Sequence, residues 1–379
     1  MRILFHEIKK IFTWRILLLL VIANAVLFFL RIEFHISHFP NGRPSLDSYR
    51  IGIEMISKYG NDMDEEDRRD FKKTYEVQVQ EANQYLQSNK EFAEAGVGTY
   101  EDFLNIDWEN KEQAALRDKI MFEEQVDIFW ELPERRRLMD FHETKEARVG
   151  TYKNGANPRQ EARFDEMISA GHYQVYPEVV MENFKEFIFN VAIAILVSVV
   201  LIISPVFMKD RSRQLLDLQY TTRKGRELYK TKLAAGLIST LGVITALLIV
   251  YFGMYALNNT EMYFNVPIHM FIDSFSWYDP TLLQYMALTV AAIYMLGLVY
   301  ALLAMSFSSM MPNYIALIGI QVPFVIAMIT YGLTYLVTRI INIEVPQWVV
   351  PTSYSGMVAV SVLFIIFMWK REKHRDIVV

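Results

Sequence analysis

His142-Glu143 begins the H-E-x-x-H pattern that sets two zinc-binding imidazoles on one helix face, but the residue three beyond the glutamate is Glu146. Without a second histidine the zinc geometry is lost. Glu33, His35 and His38 form the only other cluster with ligand-like spacing. Metal sites usually need a more complete ligand set, so the expectation here is a hydrated segment and no metal. No G-x-x-x-x-G-K-[ST] occurs, and Lys224-Gly225 lacks the glycine spacing that cradles phosphates. The chain is therefore expected to be neither an ATPase by that route nor an enzyme of another kind. It has no cysteine, which removes thiol chemistry and disulfides.

Charge is the chemistry that remains. Met208 to Gly236 holds eight of the chain's 38 lysines and arginines, between two long apolar runs. Positive charge between membrane spans resists translocation and fixes such a loop on the cytoplasmic side. Leu215, Leu216, Leu218 and Tyr220 stand among Arg213, Asp217 and Gln219, so the loop also offers a partly apolar helical surface. Orienting a membrane protein requires only the charges, which leaves the apolar groups to meet a partner.

On either side of that loop, six apolar runs in all are long enough to cross roughly 30 Å of hydrocarbon. They are 14–30, 187–207, 233–257, 282–307, 314–336 and 354–369. Arg2, Lys9 and Lys10 precede the first run and Arg15 stands at its start, while Lys370, Arg371, Lys373 and Arg375 follow the sixth. Both termini are then expected to be cytoplasmic, in a multi-pass protein of the cell membrane. The opening run and Ala23-Asn24-Ala25 also read as a signal peptide, but apolar residues continue through Leu30, which favours a retained span. Ahead of it, Ile3, Leu4, Phe5, Ile8, Ile11 and Phe12 alternate with charges as in an interfacial helix.

Residues 33–180 carry 31 acidic and 19 basic side chains, a net of −12, whereas the rest of the chain is at +7. An acidic aqueous insert thus interrupts a basic-flanked membrane protein. Phe71, Tyr75, Val79, Ala82 and Leu86 recur at helical spacing, with Asp62 as the expected N-cap and Gly96-Val97-Gly98 as a stop. Further helices are expected over 109–130, broken at Pro133 and resuming over 134–148, and from Asn157-Pro158 to Gly171. Residues 100–107 read as a turn-rich link, and the chain re-enters a helix after Tyr176-Pro177. The fold class is all-α: six spans, with a helical extracytoplasmic insert between the first and second. Its expected domains are 1–32, 33–180 and 181–379, with the cytoplasmic loop at 208–232.

Apart from Arg15 at the very start of the first, the drawn spans contain no Asp, Glu, Lys, Arg or His, whereas proton and ion carriers usually bury one. Pro205 and Pro323 are expected kinks, and Gly236, Gly242, Gly297, Gly319 and Gly332 permit close helix contact.

A membrane-proximal first helix, a large external insert, a basic loop between spans two and three and a six-span core together resemble the permease subunit of a type-2 ABC exporter of Gram-positive type. The most specific part is DLQYTTRKGRELYKTKLAAG, Asp217 to Gly236. It is similar to the family's charged helix, Thr-x-x-x-Gly-Arg turn and lysine opening the next span. The resemblance implies a coupling helix over Arg213–Thr221, seated on a cytoplasmic ABC ATPase present in two copies. Arg213, Leu215, Leu216, Asp217, Leu218, Tyr220, Thr221, Arg223, Lys224 and Arg226 are the implied contact residues. It further implies a second permease, identical or related, with ATP and Mg on the ATPase and no cofactor on this chain. Arg339, Glu344 and Trp348, in the run 339–351, are similar to short external re-entrant helices that act as a gate; an interfacial loop is the alternative.

An uncharged path suits an amphipathic cargo, an antimicrobial peptide or a lipid-like molecule, and no nucleic acid. Tyr263, Phe264, Phe271, Phe275, Trp277 and Tyr278 are expected to offer that cargo apolar surface. The rival functions are sodium extrusion and a sensor or scaffold with a ligand-binding ectodomain. The charge pattern predicts that, in intact cells, a membrane-impermeant thiol reagent modifies Glu81→Cys but reaches Lys224→Cys only after permeabilisation. The reverse labelling would overturn the topology.

Overall fold

The computed structural model describes residues 2–61, 63–171, 173–212 and 225–373. Its helices, in chain order, are α1 (Arg2–Ile11), α2 (Trp14–Leu27), α3 (Phe34–Ser37), α4 (Ser45–Tyr59), α5 (Glu65–Ser88), α6 (Lys90–Glu94), α7 (Tyr100–Leu104) and α8 (Lys111–Asp118). There follow α9 (Asp127–Lys153), α10 (Pro158–Ala170), α11 (Val179–Ile203), α12 (Pro205–Ser212), α13 (Leu228–Tyr255), α14 (Leu282–Met310), α15 (Tyr314–Ala327) and α16 (Val349–Lys373). β pairing among the described residues is confined to isolated bridges, Tyr176 with Phe271 and Pro267 with Thr281 among them. Six helical segments are long and apolar enough to cross a membrane: Trp14–Ile32, Val179–Arg211, Leu228–Asn258, Leu282–Met310, Tyr314–Gly332 and Val349–Lys373. The chain divides into two compact units, one of residues 1–39, 183–259 and 283–379, the other of residues 40–182 and 260–282.

In the first unit the apolar spans take different places. The windows around α11 and α14 are 67% and 50% buried, against 6% for α2 and 11% for α15. Interior helices and outward-facing apolar helices in one unit are compatible with a multi-pass membrane protein, whose lipid-facing surface is apolar. Within it, packing is close at two of the five expected glycines. A Cβ on Gly297 would stand 2.4 Å from Ile244 Cδ1, and one on Gly236 2.5 Å from Met305 Sδ. Gly242 and Gly319 meet nothing within 4 Å, and Gly332 faces Met328 of its own π-helical turn, Met328–Gly332.

Pro205 marks a true break, separating α11 from α12, and the free backbone groups there find one partner. Ser308 Oγ accepts from the backbone N–H of Phe207 (3.3 Å) and of Met208 (3.1 Å) and donates to the carbonyl of Ser204 at 2.6 Å. Pro323, by contrast, lies inside α15, and two π-helical turns follow that helix, Met328–Gly332 and Thr334–Thr338. Polar side chains cross between spans elsewhere too. Asn24 Nδ2 donates to Ser198 Oγ and accepts from Tyr251 OH through Oδ1, both at 2.8 Å, tying α2, α11 and α13.

The second unit is helical around an aromatic core. Phe92, Tyr100, Phe103 and Phe129 are buried together, with Phe103 and Phe129 ring centroids 4.7 Å apart. Asp64, not Asp62, caps α5, accepting from Glu66 N and Asp67 N in a capping box closed by the Asp67 carboxylate; Asp62 lies outside the described residues. The acids at 64–67 favoured by the helix dipole are therefore also its cap. α5 stops at Ser88 and the short α6 runs on to Glu94, ahead of Gly96. The link at 100–107 contains α7. The expected break at Pro133 is absent: α9 runs through it, because Leu132, Glu134 and Arg135 on either side are buried. The chain breaks earlier, where Gln125 takes a φ of 50° between a π-helical turn and α9. α10 follows its sequence signals closely, with Asn157 closing a capping box, Pro158 at N1 and Gly171 left-handed at the end.

The stretch 260–282 belongs to this second unit. Arg163 donates to the Ser276 carbonyl at 3.1 Å and pairs with Asp279, and the backbone of Gln174–Tyr176 bonds to His269 and Met270. Tyr263, Phe271 and Phe275 are consequently core residues rather than an apolar surface for cargo; of the six aromatic residues only Tyr278 is well exposed. Tyr263 also reaches the Tyr49 carbonyl at 3.0 Å, past Gly52, where a Cβ would lie 2.2 Å from its hydroxyl.

Ser308→Ala should remove three hydrogen bonds to the backbone at the α11–α12 break and lower stability by about 1–3 kcal/mol, read as a drop in melting temperature of the detergent-solubilised chain. An unchanged melt would mean that those groups have other partners.

Candidate functional site

Residues 213–224 lie outside the described residues, and with them Arg213, Leu215, Leu216, Asp217, Leu218, Tyr220, Thr221, Arg223 and Lys224. Arg226 sits in the short 3-10 helix Gly225–Glu227 that leads into α13. The helices on either side of residues 213–224, α12 and α13, are both built into one ionic node.

Lys232, in the first turns of α13, has 3% of its side chain exposed and is paired with Asp210 of α12. Glu7 of α1 lies 3.4 Å from the same ammonium. Lys10 closes the node from the more open side, 2.7 Å from Glu7 and 3.9 Å from Asp210, with 44% of its side chain exposed. Two buried carboxylates thus share one buried cation and one exposed one. Such a set is stable only when complete, because each ion left behind by the loss of a partner keeps its desolvation penalty.

Further contacts extend the node into a collar. Lys209 Nζ donates to the Lys10 carbonyl at 3.2 Å. Arg211 donates to the Met311 carbonyl at 2.6 Å and to that of Ser309, and lies 3.9 Å from Glu372 of α16. Tyr229 packs at a tilt against Phe207, ring centroids 4.7 Å apart, while Lys230 stands over the Trp369 ring at 4.6 Å. The ends of α1, α12, α13, α14 and α16 are therefore joined at the base of one loop.

Sequence reading marked Lys232 only by resemblance, as the lysine that opens a span, and missed Glu7 and Asp210. A signal was present: each is a lone acid within a basic flank, Glu7 ahead of Lys9-Lys10 and Asp210 between Lys209 and Arg211.

The other expected sites are placed differently. Arg339 pairs with Glu344 at 3.0 Å, both about half exposed, and Trp348 is 64% exposed. Residues 339–348 form turns, not short re-entrant helices, since Asn342 Oδ1 caps the Glu344 N–H at 2.7 Å and Pro346 interrupts the run. Glu33, His35 and His38 do not converge on a metal: the His35 carbonyl accepts from Asn183 and Asn258, its Nε2 lies 3.4 Å from Asn190 Nδ2, and the His38 ring stacks on Phe34. No group of three or more potential ligands occurs among the described residues.

Comparison of the chain with protein-family models, with curated proteins and with solved structures gave no match.

Lys232→Ala is expected to destabilise the chain by about 3–5 kcal/mol, since it leaves Glu7 and Asp210 buried without their shared cation. Thermal denaturation in detergent measures this. Adding Glu7→Gln and Asp210→Asn should recover most of the loss; a triple variant no better than Lys232→Ala alone would show that charge pairing is not what Lys232 provides.

Proposed function

We propose that this chain is the membrane-spanning permease subunit of an ATP-driven exporter of the type-2 ABC class. The observation that carries the reading is the buried node of Glu7, Asp210 and Lys232, which anchors both ends of a basic, leucine-bearing loop. A loop that only oriented the protein would not require its base to be locked to five helix ends. In this reading two cytoplasmic ATPase subunits bind ATP and Mg, and their closure presses on residues 213–221. The node passes that displacement to α1, α12 and α13 together, opening a path between this permease and a second, identical or related one. The cargo is amphipathic, a peptide or a lipid-like molecule. Both termini and the loop lie in the cytoplasm, and the unit of residues 40–182 and 260–282 lies outside.

A second reading, a membrane sensor with a ligand-binding external unit, is favoured by a cavity within that unit, between α5 and α9. It needs no ATPase, which separates the two.

The purified chain alone should show no ATP turnover, because it has no phosphate-cradling loop. With its ATPase present, changing Leu215, Leu216 and Leu218 together to alanine should weaken association about tenfold or more, the effect of losing a packed apolar anchor. Quantitative co-purification measures this. Association unaltered by the triple change would remove the coupling role, and robust turnover by the chain alone would remove the transport-subunit reading.

A further inference from the structure

The second unit contains a cavity of about 380 Å3, within the range of small-molecule sites. It lies where α5 faces α9. Arg68, Arg69, Lys72 and Arg136 line it, and so does His142. Met63 and Phe71 are fully buried in its wall, with Tyr75 and Met139 half-buried beside them. Three carboxylates also line it, Glu65, Asp140 and Glu143, so cations exceed anions by one inside a segment whose overall charge is strongly negative.

The cations are poorly matched by those acids. Arg68 bonds Glu65 at 2.5 Å through Nη1, but its Nε is buried without an acceptor. Arg136 meets Asp140 only at 4.0 Å, and neither Arg69 nor Lys72 forms an ion pair with any described residue. Both His142 ring nitrogens are likewise buried without a hydrogen-bond partner. Burial pushes the His142 pKa down to about 3, with Lys145 and Arg68 adding to the effect, so its ring is neutral and offers one N–H. Lys145 does not compete for a ligand here, because its ammonium is given to the Gly171 and Tyr173 carbonyls. Buried donors without acceptors are costly, and a group rich in acceptor oxygens could serve both Arg68 Nε and the His142 N–H while meeting the exposed cations at the rim.

We propose that this cavity binds an amphipathic anion, its phosphate or carboxylate head received by Arg68, Arg69, Lys72 and Arg136 and its apolar part lying over Met63, Phe71, Tyr75 and Met139. The site selects for negative charge where the unit's overall field attracts positive charge, and it stands or falls independently of any ATPase.

The test is calorimetric titration of the full chain, in nanodiscs of zwitterionic lipid, with hexyl phosphate. Saturable binding at one site per chain is expected, with inorganic phosphate and hexyltrimethylammonium each at least about tenfold weaker. Arg69→Ala with Arg136→Ala, both exposed positions, should lower hexyl phosphate affinity about tenfold or more without shifting the melting temperature. Met139→Glu, which places a carboxylate on the apolar wall, should weaken hexyl phosphate more than inorganic phosphate. Equal affinity for inorganic phosphate would reduce the site to a simple anion site and sink the amphipathic assignment. Preference for the ammonium compound, or affinity unchanged in both variants, would overturn the proposal outright.

Discussion

Lys232 carries a charge almost entirely withdrawn from solvent, and the first unit is organised around making that tolerable. Removing an ion from water carries an effective penalty of several kcal/mol even after relaxation. Attraction to one carboxylate at contact recovers about 4 kcal/mol at the effective dielectric of a protein surface, so one partner is barely sufficient. The chain supplies two, from segments far apart in sequence: Asp210 at the end of α12 and Glu7 in α1. The three helix ends cannot separate without exposing an uncompensated charge. α1, which by composition would merely lie in an interface, is thereby tied to α12 and α13.

The rest of that unit obeys a second constraint, the need to satisfy polar groups without water. At Pro205 the burden falls on one hydroxyl, Ser308, which serves two N–H groups and a carbonyl. Asn24 does comparable service further along, between Ser198 and Tyr251. Association of apolar helices in lipid gains little from the hydrophobic effect, so such hydrogen bonds and close contacts at Gly236 and Gly297 hold the interior. Of the six spans, α2 and α15 are the least buried.

The six spans were legible because length and apolarity are enough to define them, and α10 was legible because Asn157, Pro158 and Gly171 each have one dominant local use. What failed did so where distant contacts outweigh local preference. Pro133 disrupts a helix in isolation, yet burial of Leu132, Glu134 and Arg135 carries α9 through it. The aromatic residues after Tyr263 resemble an exposed cargo surface until the pairing of Arg163 with Asp279 places them in a core. Glu7 and Asp210 were hidden for a similar reason. Single acids in basic flanks acquire meaning only when three segments meet, and nothing local to either one announces the meeting. The contact residues of the loop itself rest on resemblance alone.

The membership of residues 260–282 in the unit built from 40–182 has a consequence for how the chain can be altered. The backbone passes between the two units at four places rather than two. An inserted domain with one entry and one exit can be lost, exchanged or transplanted by a single recombination event that spares the host. Here such an event would carry away 40–182 and leave Tyr263, Phe271 and Phe275 stranded as exposed apolar residues, with Asp279 deprived of Arg163. Any functional hybrid would have to take both segments from the same parent. The two stretches are bound to change together across the gene, even though some eighty residues of unrelated sequence separate them.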